Sequence, residues 1–144
     1  MNDNSKRRKT MLKQIAIFAQ NTKGALQKIT QILFDEQINI MGSVTNDSAE
    51  YGIIRMVVSE PEKAKKALTG AGYMCQLNQV LGVEVEDQPG NLNQLLNTLS
   101  ESNVTINYIY LSFNRDSGKP IMVLHTPDIL EVEECLRGKG FTLL

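Results

Sequence analysis

The residues of this sequence best placed to do chemistry are Asp87-Gln88-Pro89-Gly90-Asn91-Leu92. They lie between an alternating apolar run, Val80 to Glu86, and a helix-periodic stretch that starts at Leu92. Asp followed by X-Pro-Gly is turn chemistry: Asp bonds its own backbone, Pro fixes φ, and Gly tolerates a left-handed or closely approached backbone. A strand leads in and a helix leads out, so the turn also opens a helix N-terminus. Free N–H groups point outward there and the dipole favours an anion, so a ligand carboxylate could bind. A weaker form of the stretch stands 66 positions earlier, at Asn21-Thr22-Lys23-Gly24-Ala25-Leu26.

Other reactive side chains point away from catalysis. His125 is the single histidine, so no histidine pair for a metal can form, and no obvious nucleophile accompanies it for a Ser-His-Asp set. Glu131, Glu133 and Glu134 fall on one helix, with Glu131 and Glu134 sharing a face, and read as a solvated face rather than a metal site. Cys75 and Cys135 lack CxxC spacing and read as idle or buried thiols of a reducing cytoplasm. Tyr108 and Tyr110 share a strand face and could stack on RNA bases, but Gly42 and Val44 hold the matching places, so packing is the expected role. Lys6-Arg7-Arg8-Lys9 sits in a polar start, residues 1–10, expected to be a disordered basic tail.

The whole-chain numbers set the broad class. Of 144 residues, 42% are apolar and 22% charged, which is a soluble globular composition. A formal net charge of −1 gives no electrostatic reason to expect nucleic acid or a membrane as partner. No apolar run approaches the roughly 18 residues of a membrane span.

The elements that must hold the two turns follow from periodicity. Ile15, Ile17 and Ala19 alternate as a half-buried strand. Leu26, Ile29, Leu33 and Phe34 recur at helical spacing, giving a helix over about 24–37. Ile38, Ile40 and Val44 read as a second strand, Asn46-Asp47-Ser48 as a turn, and Tyr51 to Val58 as a third strand paired in a hairpin. Ser59-Glu60-Pro61-Glu62 starts a helix with Ser59 as cap candidate, and its apolar face is Ala64, Ala67, Leu68 and Ala71. Gly70 and Gly72 close it, and Tyr73 to Gln79 is a fourth strand.

The order βαββαβ then repeats. Leu81, Val83 and Val85 stand for Ile15, Ile17 and Ala19; Gly90 for Gly24; Leu99 for Leu33; Ile106 for Ile40. A hairpin longer by two residues, with its tip at Asn114 to Lys119, moves the offset to 68, and Leu136, Gly138, Gly140 and Phe141 match Leu68, Gly70, Gly72 and Tyr73. In-phase correspondence through helix-period and strand-period segments is a duplication. Boundaries are expected at 11–80 and 81–144. The fold class is α+β: two tandem ferredoxin-like βαββαβ units, antiparallel sheets with helices on one face, expected to pack together. The hairpin strand with Tyr108 and Tyr110 on one side and Ile109 and Leu111 on the other is apolar on both, so the sheet's second face or its edge is expected to be covered by a neighbour, the tandem copy being the nearest candidate.

Two βαββαβ units with a D-x-P-G-x-L-like turn between strand one and helix one resemble ACT domains. The second copy carries the motif in full; the first has Asn21 for Asp and Lys23 for Pro. The resemblance covers residues 11–144 and implies a regulatory module that binds an amino acid or similar effector at the seam between units. It implies that the turn supplies backbone N–H groups and strand two a polar side chain. Carried over by position, the ligand-binding residues are Asn21, Gly24, Ala25, Leu26 and Asn39 in the first copy, and Asp87, Gly90, Asn91 and Leu92 in the second. Thr105 stands where Asn39 does, and Asp87 would repel a carboxylate, so the first copy is the expected amino-acid site. Asn21 and Asp87 could instead only cap their helices.

No cofactor and no catalytic role is expected. The partners implied are a small-molecule effector, a second copy as homodimer, or a regulated enzyme. The alternative is a structural or protein-interaction module without a ligand. An acylphosphatase-like enzyme needs an Arg in the first turn, where Lys23 or Gln88 stands.

Overall fold

A computed structural model describes residues 12–20, 22–47 and 51–144. The basic tail 1–10, Asn21 and Ser48 lie outside the described residues. The chain divides into two compact units, residues 13–78 and residues 79–144, with Leu12 belonging to the second.

The first unit contains β1 (Leu12–Gln20), α1 (Ala25–Asp35), β2 (Ile40–Asp47), β3 (Tyr51–Val58) and α2 (Pro61–Gly70). Strand β4 (Met74–Glu84) begins in this unit and ends in the next. The second unit continues with α3 (Asn91–Glu101), β5 (Tyr108–Phe113), β6 (Pro120–His125), α4 (Ile129–Gly138) and β7 (Thr142–Leu143). Strand order is β2-β3-β1-β4 in the first unit and β7-β4-β6-β5 in the second, the same arrangement twice. These are the tandem ferredoxin-like units of an α+β fold.

Burial explains why the elements form. In α1, Ile29 and Leu33 are fully buried. They sit one turn apart and meet Ile15 and Ile17 of β1, Ile54 and Met56 of β3, and Leu68 of α2 in one core. In the second unit Leu95 and Leu99 of α3 meet Leu81 and Val83, Met122 and Leu124, and Leu136 in the same way. Leu26 and Phe34, expected on the buried face of α1, are 47% and 67% exposed, so that face is narrower than the spacing suggests. Ala64 and Leu68 form the buried stripe of α2, with Ala67 half-buried and Ala71 exposed.

The sheet faces turned away from the helices are buried as well. Gln14, Ala16 and Val57 in the first unit, and Val80, Tyr110, Ser112 and Val123 in the second, are nearly inaccessible to water. Tyr108 stacks on Tyr110 and, at 5.0 Å between ring centres, on His125. The tyrosines are thus part of the packed structure. Gly82 belongs to this layer for a steric reason: a Cβ there would lie 2.6 Å from Leu12 Cδ1 and 3.2 Å from Ile121 Cγ2.

Register fixes which chain ends meet. β1 and β2 both run antiparallel to β3, with Gln20 opposite Tyr51 and Ile40 opposite Val58. They are therefore parallel to each other, and the start of β2 lies at the end of the sheet far from the end of β1. Asn39 sits just before β2, its N–H donating to Ser59 Oγ at 2.9 Å and its carbonyl accepting the Ser59 N–H at 2.9 Å. Ser59 therefore does not cap α2; the N-cap is Glu60, with no side-chain bond to the helix. In the second unit Thr126 Oγ1 donates to the Thr105 carbonyl at 2.7 Å, a different hydroxyl bracing the matching place.

Candidate functional site

The turn that follows each repeat's first strand ends on a glycine. Gly24 and Gly90 both lie in the left-handed region, at φ +82° and +88°, and each is the N-cap of the helix it opens. A glycine takes this conformation without the strain a side chain would add. Neither helix has a side-chain cap, so Asp87 does not cap α3.

Beneath each turn is an open cavity, and the two are lined from equivalent positions. In the first repeat the walls are Phe18, Ala19 and Gln20 at the end of β1, Thr22, Ala25 and Lys28 from the turn and α1, and Gly72, Tyr73 and Met74 leading into β4. In the second they are Glu84, Val85 and Glu86, then Gln88, Asn91 and Gln94, then Gly140, Phe141 and Thr142, with Lys119 added. Every residue of the first set has its counterpart in the second, at an offset of 66 before the hairpin and 68 after it. The cavities measure about 390 Å³ and 210 Å³.

The turns differ in how they use their own N–H groups. In the second repeat Asn91 Nδ2 donates to the Glu86 carbonyl at 2.8 Å, which holds Asn91 Oδ1 against the Leu92 N–H at 2.6 Å. The Asn91 N–H donates to the Gln88 carbonyl at 3.3 Å. The donors expected to meet a ligand at Asn91 and Leu92 are thus engaged by the turn itself. In the first repeat the Ala25 N–H likewise donates within its own turn, to the Thr22 carbonyl at 3.2 Å. Ala25 has no side-chain acceptor, however, so nothing on it can bond the Leu26 N–H as Asn91 bonds that of Leu92. Among the described residues, the opening of α1 therefore keeps an N–H donor that α3 has closed.

The charges differ too. Lys28 lines the cavity one turn inside α1, and its Nζ has no carboxylate partner among the described residues. Its counterpart Gln94 is neutral. Glu84 and Glu86 replace Phe18 and Gln20 in the second cavity. They hold Lys119 there, with Nζ 2.8 Å from Glu86 Oε1 and 3.8 Å from Glu84 Oε1. The bond to Glu86, and then the charge of both carboxylates, pushes the Lys119 ammonium above the usual lysine range.

Of the residues expected to bind, Gly24, Ala25 and Leu26 stand together at one end of the first unit's sheet, and Asp87, Gly90, Asn91 and Leu92 at the matching place in the second. Asn21 lies outside the described residues. Asn39 does not join Gly24: within this unit it is at the far end of the sheet, roughly 20 Å away along β3 at about 3.3 Å per residue. Lys28, Tyr73, Glu84, Glu86, Gln94, Lys119 and Phe141 enter the cavities without having been marked by the motif. The signal for two of them was present, because Gly72-Tyr73 and Gly140-Phe141 recur in phase just past the second helix of each repeat.

Among the described residues no group of three His, Cys, Asp or Glu side chains converges as a metal would require. Glu131 and Glu134 are exposed; Glu133 is buried and accepts a bond from Arg137 Nε at 3.2 Å. Cys75 and Cys135 are free thiols, and burial pushes that of Cys75 up. Among the described residues no helix is long and apolar enough to cross a membrane.

Comparison with known proteins places this architecture. The structure superposes on that of protein BT0572 from Bacteroides thetaiotaomicron with a TM-score of 0.85, at 32% identity over 94% of this chain and 92% of that one. It is similar in fold to the regulatory subunit of aspartate kinase from Thermus thermophilus in its ligand-free form, with TM-score 0.64, 15% identity and 89% of each chain covered. The corresponding subunit from Thermus flavus gives 0.62 at 17% identity, over 89% of this chain and 90% of that one. Among curated proteins none matches the sequence significantly. Residues 10–139 match the family model of the ACT domain pair, and the chain belongs to that family of regulatory, amino-acid-binding modules.

Proposed function

We propose that this chain is a regulatory binding protein whose effector, an amino acid or a similar carboxylate metabolite, occupies the cavity of the first repeat. The observation that carries the reading is the contrast between the two equivalent cavities. The first is the larger, keeps the Leu26 N–H free among the described residues at the opening of α1, and is lined by Lys28. A carboxylate placed between that helix end and Lys28 meets a dipole and a full charge at once. The Phe18 and Tyr73 rings and Met74 give the rest of the cavity apolar surface, which favours an effector with an apolar or aromatic side chain. The protein would act in the cytoplasm, as a homodimer or on a regulated enzyme, and no catalytic role is assigned to it.

Thermal-shift measurements across the amino acids test the reading. Stabilisation by one or a few of them, lost in Lys28→Met, is the expected result. No stabilisation by any amino acid at millimolar concentration removes it.

A second reading, an interaction module without a ligand, is favoured by Leu26 and Phe34, which leave apolar surface exposed on α1. Ligand-free association that is lost in Phe34→Ser, measured by sedimentation, would favour it.

A further inference from the structure

We propose that Lys119 is a tethered occupant of the second cavity, an ammonium on a four-carbon stem that fills the place of a ligand's amine. The consequence that each chain keeps one open cavity, the first, rests on the effector reading above; the occupancy by Lys119 does not.

The occupant is delivered by the element in which the repeats differ in length. The β5–β6 hairpin is two residues longer than its counterpart. It closes on itself through the Asn114 N–H to the Lys119 carbonyl at 2.9 Å and the Gly118 N–H to the Asn114 carbonyl at 2.8 Å. It is then fastened to the end of β4: Asn114 Nδ2 donates to Glu84 Oε2 at 2.9 Å, and Ser117 Oγ reaches the same oxygen at 3.4 Å. This fastening aims Lys119 into the cavity, where Glu86 receives it at 2.8 Å.

The host side is built for a cation. The Glu84 side chain is only 14% exposed, and its charge is met by an amide, a hydroxyl and the Lys119 ammonium. The first repeat has Phe18 and Gln20 at these positions, neither of them a carboxylate. Removing the lysine stem would leave a partly buried carboxylate, a second carboxylate beside it, and the volume the stem had filled. A primary alkylammonium restores all three. Glu86 and Lys119 are both well exposed, at 63% and 43%, and exposed pairs are weak. The occupant is therefore displaceable.

The test is a titration of n-butylammonium chloride, the head and stem of a lysine side chain, followed by amide NMR shifts against sodium chloride at equal ionic strength. Wild type, Lys119→Ala and Lys119→Ala/Glu86→Gln are compared. In Lys119→Ala the amides of Glu86, Asn91 and Gln94 shift saturably, with an affinity about fivefold tighter than in wild type, the most an exposed pair's loss would release. The added Glu86→Gln removes most of that gain. Equal responses in wild type and Lys119→Ala, or none in Lys119→Ala, overturn the proposal. Failure of the effector reading is separate: it shows as absence of amino-acid shifts around Lys28 and Tyr73 in every variant. Unchanged amide dispersion outside the hairpin verifies that each variant is folded.

Discussion

Phe18, Gln20, Ala25 and Lys28 in the first repeat stand where Glu84, Glu86, Asn91 and Gln94 stand in the second. The backbone around these four positions is the same, down to a left-handed glycine before each helix. The side chains reverse the electrostatics. Among the described residues, the first cavity presents a lysine with no carboxylate partner and a helix end with an available donor. The second presents two carboxylates, a helix end satisfied by Asn91, and a lysine already seated. A duplicated fold thus keeps its frame under the demands of packing, while these four wall positions, which lie outside both core clusters, take on different chemistry.

If the frames are equivalent, equivalent core truncations cost the same. Leu33 and Leu99 occupy matching places in α1 and α3 and are 0% and 2% exposed. Leu33→Ala and Leu99→Ala should each lose about 2–5 kcal/mol of stability by transfer and cavity terms, measured by urea denaturation. A large difference between them would break the comparison at its root, because the repeats would then differ in packing and not only in their cavities.

The glycines come next. Gly24→Ala and Gly90→Ala meet no atom within 4 Å, so space is not at issue, but both force a Cβ into the left-handed region. Each should cost about 1–2 kcal/mol, read as matched losses in thermal melts. Only Gly24→Ala should also weaken effector binding, since among the described residues only its helix end keeps an open donor. If both variants weaken binding alike, the second cavity is in use and the asymmetry is wrong.

The charge contrast is sharper still. Lys28→Met keeps the stem and removes the ammonium, and should weaken a carboxylate effector about tenfold by calorimetry, a typical loss for a charge-assisted bond. Gln94→Met at the matching place should change nothing. Amidation of the effector's carboxylate should reproduce the Lys28→Met loss and add little in that variant.

Much of this was legible from residue order, and the reason is packing. Ile29, Leu33, Leu95 and Leu99 must face a core, so helix periodicity and its repetition survive in the sequence. The two turns were legible because only glycine takes their φ without strain. The cavities were not, since their walls come from three segments brought together by the fold, and Lys119 reaches its place only through a hairpin whose extra length says nothing of where its tip is fastened. Ser59 shows the limit of local signals. A serine before a helix is a good cap by type, yet its hydroxyl accepts a bond from Asn39, twenty positions away. The narrower buried face of α1 has the same origin, because what covers Leu26 or Phe34 is decided by neighbours and not by period.

The smallest expected effect is that of Asn39→Ala. Position by position the ACT resemblance assigns Asn39 to the ligand, but strand direction argues otherwise within the unit. Any βαβ crossover makes β1 and β2 parallel, so the residue before β2 and the residue after β1 stand at opposite ends of the sheet. Asn39 is exposed, and it is its backbone, not its side chain, that bonds Ser59. Truncating the side chain should therefore leave both stability and effector affinity within about twofold of wild type, the ordinary scatter of a surface substitution. Ser59→Ala, which removes an acceptor of a backbone N–H, should cost about 1 kcal/mol at the same spot and so prove that the measurement is sensitive there. A tenfold loss of affinity in Asn39→Ala alone would mean that the amide reaches a ligand from outside its own unit, and the site would have to be redrawn around two contributors.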